Sequence, residues 1–294
     1  MTVAEPVGRP VPQHAEWLHD VPAYVRSLEE GLAESIERLY RNPHRFSSAL
    51  STAMACVHAH LKADPAAASD RTREAVKIAL QIASAGFRAA TLAPGETTEC
   101  RIGEEARELP AARRVPDAHP ANWLTGFWLA VIVRDQGRMT QFAEIPVEIL
   151  RRDNRLRFDE FFFHWVEALQ AFWSTDPAMW EKLSAAIETC RPERARDTDA
   201  EILATLYTPV IAMFDRIVRN DRDGFVQALR RALQAHQQYW TKDDDRAVYV
   251  SGNLALGALA VACMACDLGW SIEVESVYLP AYFLRPGSAG TGLS

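Results

Sequence analysis

Apolar residues recur every three or four positions through most of this chain, the spacing that lines one face of an α-helix. Asp20 followed by Pro22 marks a start, a capping acceptor and then a ring already fixed at helical φ. Val25, Leu28, Leu32, Ile36 and Leu39 carry the stripe onward until Asn42-Pro43 stops it. Phe46, Leu50, Met54, Val57 and Leu61 repeat the pattern up to Asp64-Pro65. A third helix is expected from about Arg73 to Leu92, with Val76, Leu80, Ala83 and Phe87 on its buried side. The rhythm breaks over residues 94–116, where Thr97 to Leu109, with Gly103 at its centre, reads as a small β-hairpin.

Helices resume at Asn122, and a coarse repeat follows. An apolar helix, a polar turn with an acidic residue and a second helix come round several times. The turns lie at Arg134–Gly137, Ser174–Pro177, Asn220–Asp223 and Asp267–Gly269. Asp135, Asp176, Asp221 and Asp267 stand 41, 45 and 46 residues apart. Stacked helical hairpins give such a period, because neither helix of a pair can bury its apolar stripe alone. The expected fold is therefore all-α, an irregular array of stacked antiparallel helical hairpins with one small β-hairpin near 97–109. Residues 16–285 read as a single helical domain, with 94–120 the place where two subdomains would meet. The Pro-rich residues 1–15 are expected to form a mobile tail, and the Gly/Ser-rich residues 286–294 a flexible one.

Composition narrows the function. With 294 residues, 48% hydrophobic and 24% charged, the chain can bury a substantial core. Its net charge of −7 repels phosphate backbones and argues against a nucleic-acid partner, although acidity of this size also serves solubility. The longest apolar run, Leu254 to Cys266, is the length of a core helix and short of the ~18 to 20 residues that span a bilayer, so no membrane partner is expected. Met1 to Pro12 holds three prolines and no apolar stretch, and does not read as a signal peptide. Five cysteines without scaffold spacing fit a reducing cytoplasm.

Candidate chemistry is thin. Cys263-Met-Ala-Cys266 has redox or zinc spacing, but it lies near a helix C-terminus, where the dipole disfavours thiolate, and no second pair completes a zinc tetrahedron. Buried structural cysteines are the better reading. Glu160, His164 and Glu167 share one helical face, as carboxylates and histidines do in di-metal bundles. The matching set is missing, the lone further ExxH being Glu16 to His19, and the polar face of an amphipathic helix explains the three. His58 and His60, near Cys56, look metal-like in a linear scan, yet residues two apart on a helix point away from each other. No GxSxG, P-loop, GxGxxG or HExxH is present. Neither a catalytic group nor a cofactor is expected.

Tryptophan and tyrosine are frequent among Trp123, Trp128, Trp165, Trp173, Trp180, Tyr239, Trp240, Trp270, Tyr278 and Tyr282. Most at helical spacing belong to the core, whereas Tyr239, Trp240 and Tyr278 are expected to be partly exposed. The densest acidic groups are Asp243, Asp244 and Asp245, and Glu273 with Glu275. With the three aromatics they form the candidate partner-binding face. The bland alternative is that the aspartates cap the next helix and that Tyr278 docks the tail.

Four stretches taken in order carry a resemblance. They are Glu99-Cys-Arg-Ile102, Asn122-Trp-Leu-Thr-Gly-Phe-Trp-Leu-Ala130, His236-Gln-Gln-Tyr-Trp240 followed by Asp243-Asp-Asp-Arg246, and Ile272-Glu-Val-Glu-Ser-Val-Tyr-Leu-Pro280. Together, over about residues 20–285, they resemble the immunity 49 family. The resemblance implies an antidote to a toxin of bacterial competition systems, frequent in actinobacteria, that acts by stoichiometric binding. Its partner would be a cognate protein toxin, and a basic one would suit an acidic face. The family supplies no settled interface residues. Either a monomer or a homodimer is compatible with the sequence. The rival readings are a helical scaffold or small-molecule-binding regulator, which would show a deep apolar cleft, and a metal-dependent enzyme built on Glu160, His164 and Glu167.

Overall fold

Asp20 caps the first helix as its position predicts, its Oδ1 accepting from the Ala23 amide at 2.8 Å. The computed structural model describes residues 20–112, 118–152 and 156–285. Both expected tails, 1–15 and 286–294, and Glu16 to His19 lie outside them. Helix α1 (Val21–Arg41) is followed antiparallel by α2 (Phe46–Ala63) and α3 (Asp70–Thr91). Strands β1 (Thr97–Ile102) and β2 (Glu105–Pro110) then pair antiparallel, Thr97 opposite Pro110 and Ile102 opposite Glu105. Gly103 turns the hairpin at φ +63, a conformation that glycine adopts without strain. The expected hairpin is present, lying on α3 and α1. One continuous buried core passes it, running from Leu32 to Phe283.

The later helices are α4 (Pro120–Val133), α5 (Gln136–Ala143), the short α6 (Val147–Leu150), α7 (Glu160–Trp173) and α8 (Met179–Thr189). They continue with α9 (Ala200–Ile202), α10 (Thr208–Val218), α11 (Arg222–Trp240), the single turn α12 (Asp244–Ala247) and α13 (Leu256–Asp267). The fold is thus mostly helical, with one small β-hairpin.

The acidic turns have a common geometry. Arg134, Thr175 and Asn220 all adopt left-handed backbone, with φ of 58, 54 and 53, and Gly269 does so at 80. In each case the next amide reaches back five residues, Asp135 to Ala130, Asp176 to Ala171, Asp221 to Arg216 and Trp270 to Ala265, at 2.8 to 3.0 Å. This bond closes the preceding helix. The first three turns then place an aspartate whose carboxylate accepts from Arg138, Ala178 and Gly224 amides at 2.9 Å; Asp135 and Asp221 cap the next helix, and Asp176 turns the chain just ahead of one that begins at Met179. Hairpins α4–α5, α7–α8 and α10–α11 result. The fourth turn departs from the expected repeat. Its equivalent position holds Trp270, which has no carboxylate to cap anything, and no helix follows among the described residues. Asp267 is instead the last residue of α13 and pairs with Arg134 of the first turn, Oδ1 to Nε, at 2.8 Å.

Residues 268–285 form an irregular segment that runs back across the array. The Ala255 amide donates to Tyr278 O at 3.2 Å, and the Tyr282 amide to Ala66 O at 3.1 Å. Arg73 lies 4.2 Å from the centre of the Tyr282 ring. This segment therefore closes onto the α2–α3 loop, unlike an open solenoid, whose units touch neighbours alone. By length and composition the stretch Val250–Asp267 is apolar enough to cross a membrane, but most of it is buried, with α13 packed on α4, α10 and α11. It is a core helix of this fold.

Between α9 and α10 the helix widens into a π-turn, Leu203–Tyr207. Pro209 supplies the reason. It has no N–H for the carbonyl of Thr205, and its ring would collide with that carbonyl in a regular helix.

Candidate functional site

The end of α11 and the loop that follows it to α13, residues 239–255, hold five of the eight residues singled out by the sequence, Tyr239, Trp240, Asp243, Asp244 and Asp245. At its base the two basic side chains are bound by one carboxylate. Lys242 Nζ and Arg246 Nη2 donate to the Oε1 and Oε2 of Glu201, at 2.8 and 2.9 Å. Those hydrogen bonds, the one from Arg246 foremost, hold the Glu201 carboxyl below the usual range. Arg246 also stacks 4.3 Å from the centre of the Tyr239 ring. With both cations engaged inward, Asp243, Asp244 and Asp245 are exposed on the outside. Asp243 caps α12, its Oδ1 accepting from the Arg246 amide at 2.8 Å, so the capping alternative holds for this residue.

Aromatic rings continue the patch. Tyr239 and Trp240, both half-buried, meet edge to face at 5.1 Å, and Tyr249 lies 6.5 Å from Trp240. Tyr249 is 60% exposed, the most open of the large hydrophobic side chains among the described residues. Sequence reasoning missed it, because a tyrosine outside any periodic stripe carries no signal of its exposure.

Tyr278 corrects the expectation made for it. It is 0% exposed, its ring set 4.9 Å from that of His236, and burial pushes its hydroxyl up to about 12. It docks the returning segment under α11 and offers nothing to a partner. Glu273 and Glu275 are exposed on that segment, and no hydrogen bond or ion pair among the described residues joins them to Asp243–Asp245.

Beneath the loop lies a cavity of about 370 Å³. Its walls come from α2, α4, α7, the π-turn, α11 and the start of α13, and Trp240 and Ser251 stand both in its wall and in or beside the loop. The lining is largely apolar, and it includes His58 and His236. His236 Nε2 donates to Gly252 O at 2.9 Å. Burial depresses both imidazoles to about 4, His58 with a further contribution from nearby His236, and His236 against the opposing pull of its Gly252 hydrogen bond.

The other candidates resolve as packing. His58 turns to the cavity while His60 Nε2 lies 3.0 Å from Glu29 Oε1 of α1, so the two diverge as helical geometry requires. Cys263 and Cys266 are buried free thiols, Cys263 donating to Phe283 O at 3.3 Å. Burial raises both, Cys263 to about 12. Glu160 is gripped by both terminal nitrogens of Arg151, at 2.8 and 2.7 Å, and His164 Nδ1 lies 3.4 Å from Glu167 Oε2. Among the described residues no group of three or more His, Cys, Asp or Glu side chains is arranged to hold a metal ion.

Comparison with curated proteins finds no match, and comparison with solved structures finds none either. The family described as Immunity protein 49 matches residues 64–283, a span from just after α2 to the final segment that includes the β-hairpin, the acidic loop and all of the cavity lining except Met54 and His58. The chain belongs to the Immunity protein 49 family.

Proposed function

We propose that this protein neutralises a cognate toxin by binding it one to one, with the loop over residues 239–249 at the centre of the contact. The observation that carries the reading is the family match over residues 64–283. The geometry around the loop supports it. Tyr249 and Trp240 are aromatic anchors of the kind that dominate binding energy, and Asp244 with Asp245 supplies the charge that speeds encounter with a basic partner. Tyr239, Asp243, Glu273 and Glu275 belong to the rim in this reading, and Tyr278 leaves the set. A toxin that turns over must be held almost completely, which requires nanomolar affinity, about −12 kcal/mol. An interface of roughly 1,600 Å² with a few well-packed anchors reaches that.

Calorimetric titration of the protein against toxin domains from the same genome tests the proposal. One-to-one binding with nanomolar Kd, and loss of toxin activity at equimolar protein, is the expected result. Protection by far less than one equivalent, without a stable complex, would point to enzymatic removal of the toxin or its product and overturn it.

A further inference from the structure

The cavity under the loop has features that the binding of a toxin does not use. A cavity of about 150 Å³ takes a benzene. At about 370 Å³ this one has room for about 15 non-hydrogen atoms, more than the largest side chain of a partner, an indole, can fill. No Asp, Glu, Lys or Arg is among its lining residues. An ionised ligand would therefore lose its hydration without gaining a counter-charge.

The walls also carry hydrogen-bonding groups with nothing to bond. His58, Trp128 and Trp165 are 9%, 5% and 1% exposed, and their ring nitrogens have no hydrogen-bond partner among the described residues. Arg134 Nη2 is the one side-chain nitrogen or oxygen among the described residues that is both sealed and unpartnered. The ring nitrogens of the other three are thus not sealed, and all three residues line the cavity. A ligand with an acceptor or donor of its own can bond them.

We infer that this cavity is a binding site for a flat, uncharged, mostly apolar small molecule of about 15 non-hydrogen atoms bearing one or two hydrogen-bonding groups. Trp240, half-buried in the wall, provides a face for its rings, and His58 with the indole N–H groups of Trp128 and Trp165 meets its polar atoms. The inference stands independently of toxin binding.

N-phenyl-1-naphthylamine, a neutral three-ring probe of about this size, tests it by its own fluorescence and by quenching of tryptophan emission. Its sulfonated counterpart, 8-anilino-1-naphthalenesulfonate, adds one negative charge to the same skeleton. Saturable one-to-one binding of the neutral probe is expected, with the sulfonate at least about tenfold weaker. Thr125→Phe, which fills the cavity from α4, should weaken the neutral probe at least about tenfold while the circular dichroism spectrum is retained. Absence of saturable binding in the wild-type protein, or equal binding of the sulfonate, overturns the assignment. Should Thr125→Phe fail to fold, His58→Leu decides in its place. A several-fold loss supports the site, and unchanged affinity refutes it.

Discussion

His236 Nε2 donates to the carbonyl of Gly252 at 2.9 Å, tying α11 to the turn that leads into α13. The bond needs a hydrogen on Nε2, and burial, against the pull of this bond, is what keeps the ring uncharged. Burial holds His236 and its neighbour His58 at about 4, well under the 6.5 of an exposed imidazole. Between those values the unfolded chain binds more protons than the folded one, so stability rises with pH across the window. The contribution is complete above about 6.5 and is lost as pH falls through about 4. At pH 5 each histidine should cost about 2 kcal/mol relative to pH 7.5. Urea unfolding at a series of pH values checks this, and His58→Leu should remove about half of the slope. Asp64, Asp159 and Asp221 titrate below their ordinary values and so act at lower pH.

Asp159 anchors the loop from α8 to α9. Its carboxylate is buried, and it accepts from the amides of Arg196 at 2.9 Å, Asp197 at 3.3 Å and Thr198 at 2.9 Å. Desolvation works against its charge, yet hydrogen bonds from Thr198, Arg196 and Asp197 outweigh it and leave the carboxyl low. Asp159→Ala would strand three amides. A loss of about 2 to 4 kcal/mol in urea unfolding is expected, above the range of an ordinary surface change.

The hairpin rhythm was legible because the same chemistry is written into it three times. An aspartate one residue beyond a left-handed position closes one helix and leads into the next, at Asp135, Asp176 and Asp221. Asp267 lies in a similar polar stretch, but it precedes its left-handed residue by two positions, and that offset separates a helix end from a hairpin. The β-hairpin was legible from Gly103, and the acidic loop from its three aspartates. The burial of Tyr278 was not, since it depends on an irregular segment whose path is fixed by contacts with His236 and Ala255, far away in sequence. The cavity was equally hidden. Its lining comes from six separate stretches, and the one local clue, Pro209 inside a helical pattern, marks the π-turn without revealing what the turn faces.

All five cysteines are buried free thiols, and burial raises each of them, Cys56 and Cys190 to about 11 and Cys263 to about 12. Thiolate is the reacting form, so alkylation should be slow in the folded protein. Iodoacetamide at pH 8 should label little of the native chain within minutes and all five positions in denaturant, as read by intact mass. Rapid native labelling at Cys263 or Cys266 would mean that α13 opens far more readily than its packing suggests.

Tyr249 and the pair Asp244–Asp245 should contribute differently to capture of the toxin. Tyr249 is a large ring exposed without a fold-stabilising role, so truncating it leaves the melting temperature nearly unchanged. If it is an anchor, Tyr249→Ala weakens binding by about 2 kcal/mol, some thirtyfold, mostly through faster dissociation. Asp244 and Asp245 are exposed and lie outside the Glu201 clamp. Their joint replacement by Asn should slow association several-fold at low salt and flatten its ionic-strength dependence, with little change in dissociation. Stopped-flow mixing at two salt concentrations separates the effects. Wild-type rates in both variants would move the contact away from this loop while leaving family membership untouched.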